Sequence, residues 1–379
     1  MDNRMPMNFI EHLYKEGFMK EYSKKHFIIK ALNGKIEYFN KYPQLIRHID
    51  PIIQDCDIPR TFIMNLSKAL YFFSQHFSKK SFENFVKNQL AAGKENYCEE
   101  QFFRALSEIH VVNYVLLINK HKIKQCTYEP RLNRSSNPEA RIELKDGAII
   151  DIEVKTPGFH DTNRRPKKAR IKPNLILDNN VKTQIIEYCK INELELVYPR
   201  VLKLKEFIRS AASKFVVPTT KRHFNLLFIN WTYTDFPECE LAEPITILAN
   251  PINGILTNKK AHGLVGIKNQ HIEKISAVVL YKDNMSNILF GDFIYHFQDK
   301  SYELLINQAN QQYIKNTEED EKYLEELLNM EIYNNQPLIT WWAADGEWGN
   351  VEQFDTCIKA IMEIEKMFLK ANTEYKEFM

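Results

Sequence analysis

NPEARIELKDGAIIDIEVK, residues 137–155, is the segment from which the architecture of this chain can be predicted. Apolar and charged residues alternate on both sides of an Asp-Gly pair, a pattern typical of two half-buried strands joined by a tight turn. We predict strands at 140–144 and 148–155. Lys145-Asp146-Gly147 then forms a three-residue connection, a type I turn in which Gly147 adopts the left-handed conformation.

This connection fixes the register of the hairpin, because a shift by one residue would turn every side chain to the opposite face. A two-residue connection would set Ile142 against Asp151 and mix apolar with charged residues. The three-residue connection instead gives one apolar and one charged face. Its cross-strand pairs are Leu144–Ala148, Ile142–Ile150, Ala140–Ile152, Arg141–Asp151 and Glu139–Glu153. Directly opposed residues have Cβ atoms ~5 Å apart, so we expect the Glu139 and Glu153 carboxylates to lie side by side.

Two neighbouring carboxylates repel each other unless a cation lies between them. Hydrolysis of a phosphodiester needs a divalent cation to stabilise developing charge and to acidify a bound water, and hard cations prefer carboxylate oxygens. Lys155 follows Glu153 on the same face, where its ammonium group can hold the attacking water and stabilise the transition state. The hairpin therefore predicts a catalytic site that uses Mg²⁺ or Mn²⁺. The alternative is a solvated hairpin face, with Arg141 and Asp151 as an exposed ion pair.

Pro138-Glu139, followed after thirteen residues by Glu153-Val154-Lys155, resembles the motif of the PD-(D/E)xK nuclease superfamily. The resemblance implies that Glu139, Glu153 and the backbone carbonyl of Val154 bind the metal and that Lys155 is the catalytic lysine. The first acid is usually aspartate, so the longer glutamate is expected to shift the metal. The order of predicted elements is also similar to the restriction-endonuclease-like α-β-β-β-α-β core: a helix at 99–120, a strand at 124–129, the hairpin, a helix at 201–215 and a strand at 224–231.

Two further polar residues on the predicted helices have competing interpretations. Glu108 lies among apolar residues and matches an acid that many members of the superfamily carry on the first helix, which implies a catalytic role. The alternative is an ion pair with Arg104, one turn earlier. Lys214 ends the helix predicted at 201–215, where it either approaches the site or lies on the surface.

A basic run follows the catalytic strand. It either grips phosphate groups of a nucleic acid or forms a solvated loop. The six basic residues, which we predict to bind nucleic acid, are Arg164, Arg165, Lys167, Lys168, Arg170 and Lys172. Near the C-terminus, WWAADGEWG at 341–349 either stacks on bases or packs against the core.

Three units are predicted along the chain, with an α/β fold class. Residues 1–95 show apolar residues at three- and four-residue spacing and form a helical N-terminal region for recognition, regulation or dimerisation. Residues 96–299 form the nuclease core, which includes buried strands in the apolar runs at 224–231 and 275–282. Residues 300–379 form a helical C-terminal extension.

Composition excludes several classes of protein. Hydrophobic residues make up 44% of the chain, which is too many for a disordered protein. The net charge of +2 gives no overall basic field, so a nucleic acid must be bound by local clusters. The six cysteines show no zinc-binding spacing and are expected to be buried, reduced thiols. Without a signal peptide or an apolar run of ~20 residues, we expect a cytoplasmic protein with no membrane partner.

The expected function is that of a metal-dependent endonuclease acting on DNA. We expect it to belong to a bacterial restriction or anti-phage defence system and to act as a homodimer or with a partner protein of that system. One alternative is a silent protein with the nuclease fold that binds nucleic acid or serves as a scaffold. Another is a nuclease for RNA. The intact set of two acids and a lysine favours the enzyme.

Overall fold

The computed structural model describes the following residues: 9–33, 58–132, 137–157, 170–173, 179–196, 201–218, 220, 222–231, 241–250, 254–282, 302–309, 318–333, 341–344, 359, 362–363 and 366–367. They form a mixed α/β structure with a six-stranded sheet at its centre. Among the described residues, no helix combines the length and the apolar character needed to cross a membrane.

The central sheet has the strand order β1-β2-β3-β6-β7-β8. Its strands are β1 (Ile123–Tyr128), β2 (Ala140–Leu144), β3 (Ile149–Lys155), β6 (His223–Asn230), β7 (Ala277–Tyr281) and β8 (Tyr302–Ile306). The three middle strands β3, β6 and β7 run parallel, while β1, β2 and β8 pair antiparallel at the two sides. Every residue of β6 and β7 is buried, as the two apolar runs predict for parallel strands that are covered on both faces.

Helices cover both faces of this sheet. They are α1 (Phe9–Lys15), α2 (Phe27–Leu32), α3 (Ile58–His76), α4 (Lys79–Asn84), α5 (Glu99–Ile118), α6 (Asn179–Ile191), α7 (Val201–Lys214), α8 (Ala242–Ala249), α9 (Lys259–Val265), α10 (Asn269–Ile272) and α11 (Glu318–Leu328). Helices α1 to α5 and α11 contribute to a first hydrophobic core and α7 to α10 to a second. Within β6, Leu226 and Phe228 face the first core, whereas Leu227 and Ile229 face the second.

The predicted hairpin register is confirmed from the Ala140–Ile152 pair to the turn, whereas Glu139 and Glu153 lie beyond the paired residues. Arg141 pairs with Asp151 and Ile142 with Ile150, and the Leu144 N–H donates to the Ala148 carbonyl at 2.8 Å. Gly147 has a φ of +88°, the left-handed conformation that the turn requires. The two faces of the hairpin therefore separate as predicted. The apolar pairs lie in the first core, and the acidic residues of β3 face the side on which α7 packs.

The C-terminal extension is not wholly helical, and this part of the prediction is wrong. Tyr302–Ile306 is the strand β8, which pairs with β7 at one side of the sheet. Trp341–Ala344 is the strand β9 of a second sheet with the order β5-β4-β9, where β4 is Arg170–Pro173 and β5 is Glu195–Leu196. Short strands with few alternating apolar residues give little periodic signal, so the sequence pattern did not reveal them.

The described parts of the three predicted units share one core. The first hydrophobic core contains Phe62 from the N-terminal helices, Ile150 from the hairpin and Leu328 from α11. The Asn119 side-chain amide at the end of α5 donates to the Leu327 carbonyl at 2.9 Å, which fixes α11 against α5. The chain changes direction before α5 at Ala92 and Gly93, which both have positive φ angles.

The cysteine prediction is confirmed in part. Cys98, Cys126 and Cys189 are free thiols, as expected. Cys189 is buried, but Cys98 and Cys126 are only half-buried, so the prediction that all are buried is wrong for these two. The remaining three cysteines lie outside the described residues.

Candidate active site

Two glutamates meet at the end of the hairpin that is opposite its turn. Glu139 directly precedes β2 and Glu153 lies in β3. The Lys214 Nζ lies 3.0 Å from Glu139 Oε1 and 2.8 Å from Glu153 Oε1. Because one nitrogen contacts both carboxylates, the prediction that they lie side by side is confirmed. Both side chains are shielded from solvent, with Glu139 8% and Glu153 0% exposed.

Backbone hydrogen bonds fix the position of Glu139. Its N–H donates to the Ile152 carbonyl at 2.8 Å, and its own carbonyl accepts from the Glu129 N–H at 2.9 Å. Glu139 is thereby held between the end of β1 and the end of β3. The second carboxylate is that of Glu153. It lies on the face of β3 that also carries Asp151 and Lys155, because alternate residues of a strand point to the same side.

Two ammonium groups share one oxygen of Glu153. Lys155 Nζ lies 2.6 Å from Glu153 Oε1, and Lys214 Nζ contacts the same oxygen. Glu153 Oε2 is buried without a hydrogen-bond partner among the described residues. A buried carboxylate oxygen without a donor is unfavourable. It can therefore accept a further positive ligand.

The charges at the site change each other's protonation. Burial raises the pKa of Glu153, and the nearby Glu139 carboxylate raises it further, while the two lysines act in the opposite direction. Burial opposes the charge of Lys214, but Glu139 and Glu153 outweigh this effect and raise the pKa of Lys214 above its usual value. Lys214 therefore carries its charge at neutral pH. The sequence left open whether Lys214 lies at the site or on the surface, and its contacts with both carboxylates place it at the site.

Glu108 reaches the same cluster from α5. Burial, followed by the charges of Glu139 and Glu153, raises the pKa of Glu108 well above its usual range. The Tyr128 hydroxyl donates to Glu108 Oε2 at 3.3 Å. The alternative partner Arg104 instead pairs with Glu100 one turn earlier, so the predicted alternative of an Arg104–Glu108 pair is wrong.

No family model, no curated protein and no solved structure matches this chain. The function of the site must therefore be inferred from its own side chains.

The acid pair fits a divalent cation by its chemistry. Glu139 and Glu153 offer hard oxygen ligands, and Glu153 Oε2 is a buried acceptor without a donor. Within the described part of the chain, however, no group of three or more His, Cys, Asp and Glu side chains is arranged to hold a metal. Lys214 lies between the two carboxylates instead. Val154, whose carbonyl the resemblance makes a third ligand, is a buried residue of β3, and this role stays a prediction.

The charged pair next to the site is not a solvated ion pair, so that alternative is wrong. Asp151 is fully buried and accepts two hydrogen bonds of 2.7 Å from Arg141. His223 Nε2 lies 2.9 Å from Asp151 Oδ2. Burial alone would raise the pKa of Asp151, but Arg141 and His223 outweigh it and hold this pKa below its usual value. This network of Arg141, Asp151 and His223 fixes the charged face of the hairpin directly next to Glu139 and Glu153.

Removing Asp151 is expected to destabilise the fold. Asp151→Ala leaves Arg141 without its buried partner, and breaking a buried pair in this way costs about 3–5 kcal/mol. Urea denaturation at neutral pH measures the loss. Glu206→Ala is the matched control, because Glu206 forms an exposed ion pair with Lys203, and such pairs contribute only about 0–1 kcal/mol. Equal losses in the two variants would contradict the structural role of Asp151.

The same pair predicts a pH dependence. The pKa of Asp151 is lower in the folded than in the unfolded chain, where it is about 3.9. Its contribution to stability is therefore complete above about pH 4 and is lost as the pH falls through the folded-state value. We expect the difference in unfolding free energy between wild type and Asp151→Ala to shrink in acid. A difference that grows in acid would contradict this sign.

The basic run lies only partly within the described residues. Its first four members, Arg164, Arg165, Lys167 and Lys168, fall outside them. Arg170 and Lys172 belong to β4, so the loop alternative is wrong for this end of the run. In the second sheet Lys172 pairs with Trp342 of β9. The basic run and the tryptophan segment are therefore neighbours along their backbones, and their roles in binding stay predictions.

Proposed function

We propose that this protein is a metal-dependent nuclease that hydrolyses phosphodiester bonds in DNA. The observation that carries the proposal is the convergence of Glu139, Glu153 and Lys155 at one buried end of the hairpin. An acid pair with an adjacent ammonium group is the set of charges that phosphodiester hydrolysis requires. The order of α5, β1, β2, β3, α7 and β6 along the chain supports the resemblance to the PD-(D/E)xK superfamily.

Each side chain has a role that follows from its position. Glu139 and Glu153 would hold a Mg²⁺ or Mn²⁺ ion, with the Val154 carbonyl as a further ligand. The bound ion would stabilise charge on the phosphate and acidify a water molecule. Lys155 orients the attacking water and stabilises negative charge in the transition state. Glu108, with its raised pKa, is in its neutral form able to donate a proton to a leaving oxygen.

A restriction or anti-phage setting, a homodimer and a defence partner protein remain part of the proposal by analogy with the superfamily. A silent nucleic-acid-binding or scaffold protein is the rival from another class. One observation favours this rival, because the two lysines already compensate the two carboxylates without a metal. Retention of all three motif residues favours the enzyme.

A cleavage assay separates these functions. Purified protein is incubated with supercoiled plasmid, linear duplex, single-stranded DNA and RNA, each with Mg²⁺, Mn²⁺ or EDTA. We expect cleavage of DNA with either metal and none with EDTA. Cleavage of RNA alone would move the proposal to an RNA nuclease. Binding without any metal-dependent cleavage would replace it by the silent protein.

The basic run makes a separate prediction. Replacing Arg164, Arg165, Lys167 and Lys168 by alanine is expected to weaken binding to all DNA sequences alike. Each lost phosphate contact lowers the slope of log affinity against log salt by ~0.9 on duplex DNA. Fluorescence anisotropy across a salt series measures the slope. The control replaces exposed lysines at the start of β1 and just before it, namely Lys120, Lys122 and Lys124. An unchanged slope would indicate that the basic run is a solvated segment that makes no phosphate contacts.

A further inference from the structure

We propose that Lys214 is a built-in competitor of the metal: its ammonium group bridges Glu139 and Glu153 in the metal-free protein and must withdraw before a divalent cation binds both carboxylates. This inference rests on the proposed function, because it assumes that the acid pair is the metal site. It goes further in assigning a second lysine, outside the motif, to the control of metal binding.

The first argument is geometric. Lys214 Nζ lies 3.0 Å from Glu139 Oε1 and 2.8 Å from Glu153 Oε1, whereas Lys155 Nζ is paired with Glu153. A divalent cation held by one oxygen of each carboxylate would need the space between them, because hard cations bind carboxylate oxygens directly. The ammonium group already occupies the space between the two oxygens. Lys214 and the metal therefore exclude each other.

The second argument concerns charge. The two acids that the proposal assigns to the metal, Glu139 and Glu153, already face two ammonium groups, those of Lys155 and Lys214. A divalent cation added to this balanced and shielded cluster would create excess positive charge, and like charges at close range repel strongly where water is excluded. Withdrawal of Lys214 removes one positive charge from the cluster. Of the two lysines, Lys214 is the one that contacts both carboxylates.

The third argument is the mobility that its position allows. Lys214 is the last residue of α7, and its side chain is 20% exposed. A long side chain at a helix end can turn toward water without disturbing the packing of the helix. The Lys155 side chain is equally exposed, but it contacts only one of the two carboxylates, that of Glu153. Lys214 can therefore leave the acid pair while the fold stays intact.

Lys214 also has a purpose before the metal arrives. Without a cation, the neighbouring carboxylates would repel each other or take up a proton. The ammonium group holds the two carboxylates together, so the acid pair is already arranged for the metal. The consequence is opposite effects of one substitution. A neutral side chain at 214 should destabilise the metal-free protein and strengthen metal binding.

The first experiment uses Lys214→Met, which keeps the length of the side chain without its charge. The control is Lys203→Met on the same helix, where the lysine pairs with the exposed Glu206 at 3.0 Å. Mn²⁺ is titrated into each metal-free protein by calorimetry. We expect Lys214→Met to bind Mn²⁺ about tenfold more tightly than wild type, which corresponds to about 1.4 kcal/mol, and Lys203→Met to match wild type. Binding by Lys214→Met that is equal to or weaker than wild type overturns the inference.

The second experiment needs no substitution, so it stays decisive if Lys214→Met does not fold. Wild-type protein is treated with an amine acetylating reagent with and without saturating Mn²⁺, and each lysine is quantified by mass spectrometry. We expect acetylation of Lys214 to rise when Mn²⁺ binds, because the displaced side chain turns away from the buried carboxylates and becomes accessible to the reagent. Lys203 serves as the internal standard. Unchanged or reduced labelling of Lys214 in the metal-bound protein overturns the inference.

Glu153→Ala distinguishes failure of this inference from failure of the proposed function. If folded wild type and Lys214→Met both bind no Mn²⁺, the acid pair is not a metal site and both proposals fall. If Mn²⁺ binds, is lost in Glu153→Ala, but is unaffected by Lys214→Met, only the competition is wrong. Tighter binding in Lys214→Met that disappears on adding Glu153→Ala supports both.

Discussion

Glu153→Ala is expected to reduce metal-dependent cleavage to background. Glu153 is fully buried, and its Oε1 is the oxygen nearest to both lysines. Its loss therefore removes a proposed metal ligand and leaves two ammonium groups at the site. Neither the metal nor the phosphate charge is then stabilised. Initial cleavage rates on plasmid DNA with Mg²⁺, together with Mn²⁺ calorimetry, measure both consequences.

Glu143→Ala is the matched control for this experiment. Glu143 is a half-buried glutamate of the same hairpin, in β2, where it pairs with Ile149 near the turn. Its removal is expected to leave cleavage close to wild type. Glu139→Asp should retain more activity than Glu139→Ala, because it keeps a carboxylate with a shorter arm. Full activity in Glu153→Ala would remove the acid pair from the mechanism.

Lys155→Ala is expected to lower the cleavage rate by ~10²–10³-fold, the typical loss when one electrostatic stabiliser of a transition state is deleted. Both carboxylates remain in this variant, so Mn²⁺ should still bind. Nucleic-acid affinity in EDTA should stay within a few fold, because the basic run is unchanged. A lower cleavage rate with unchanged Mn²⁺ and nucleic-acid binding indicates that Lys155 acts on the reacting atoms. A residue that only stabilises the fold would affect binding as well.

Lys145→Ala provides the matched control, since Lys145 lies in the hairpin turn and its Nζ donates to the His121 carbonyl at the surface. We expect wild-type rates from it. Cleavage by Lys155→Ala at the wild-type rate would contradict the catalytic assignment. In that case the silent nucleic-acid-binding protein would replace the enzyme as the proposed function.

The hairpin could be predicted from sequence because its information is local. The alternation of side chains and the Asp-Gly pair together allow only one register that keeps apolar residues on one face, and Glu139 and Glu153 follow from it. The buried strands β6 and β7 were equally clear, since continuous apolar runs bounded by polar residues are typical of parallel strands. In each case the signal lies within one short continuous segment of the sequence.

Lys214 and the outer strands depend on longer-range packing. Lys214 joins the site because α7 packs on the sheet. The sequence around a single lysine does not indicate how close it lies to residues elsewhere in the chain. Glu139 lies 75 residues from Lys214 along the chain. The strands β4 and β9 are held by pairing between their backbones, which leaves no side-chain period to detect. Strand β8 is short and its apolar residues are adjacent, so a helix was an equally good interpretation.

The parallel pairing of β3 with β6 has a consequence for biosynthesis. Asp151 and His223, which contact each other in the finished structure, are 72 residues apart. At ~5–20 residues per second, the ribosome needs about 4–14 s to add that length. During this interval β2 and β3 can form their hairpin, but the other edge of β3 is still unpaired and open to association with another nascent chain. The charged residues Asp151, Glu153 and Lys155 lie along that strand, and they discourage wrong pairing until β6 has been made.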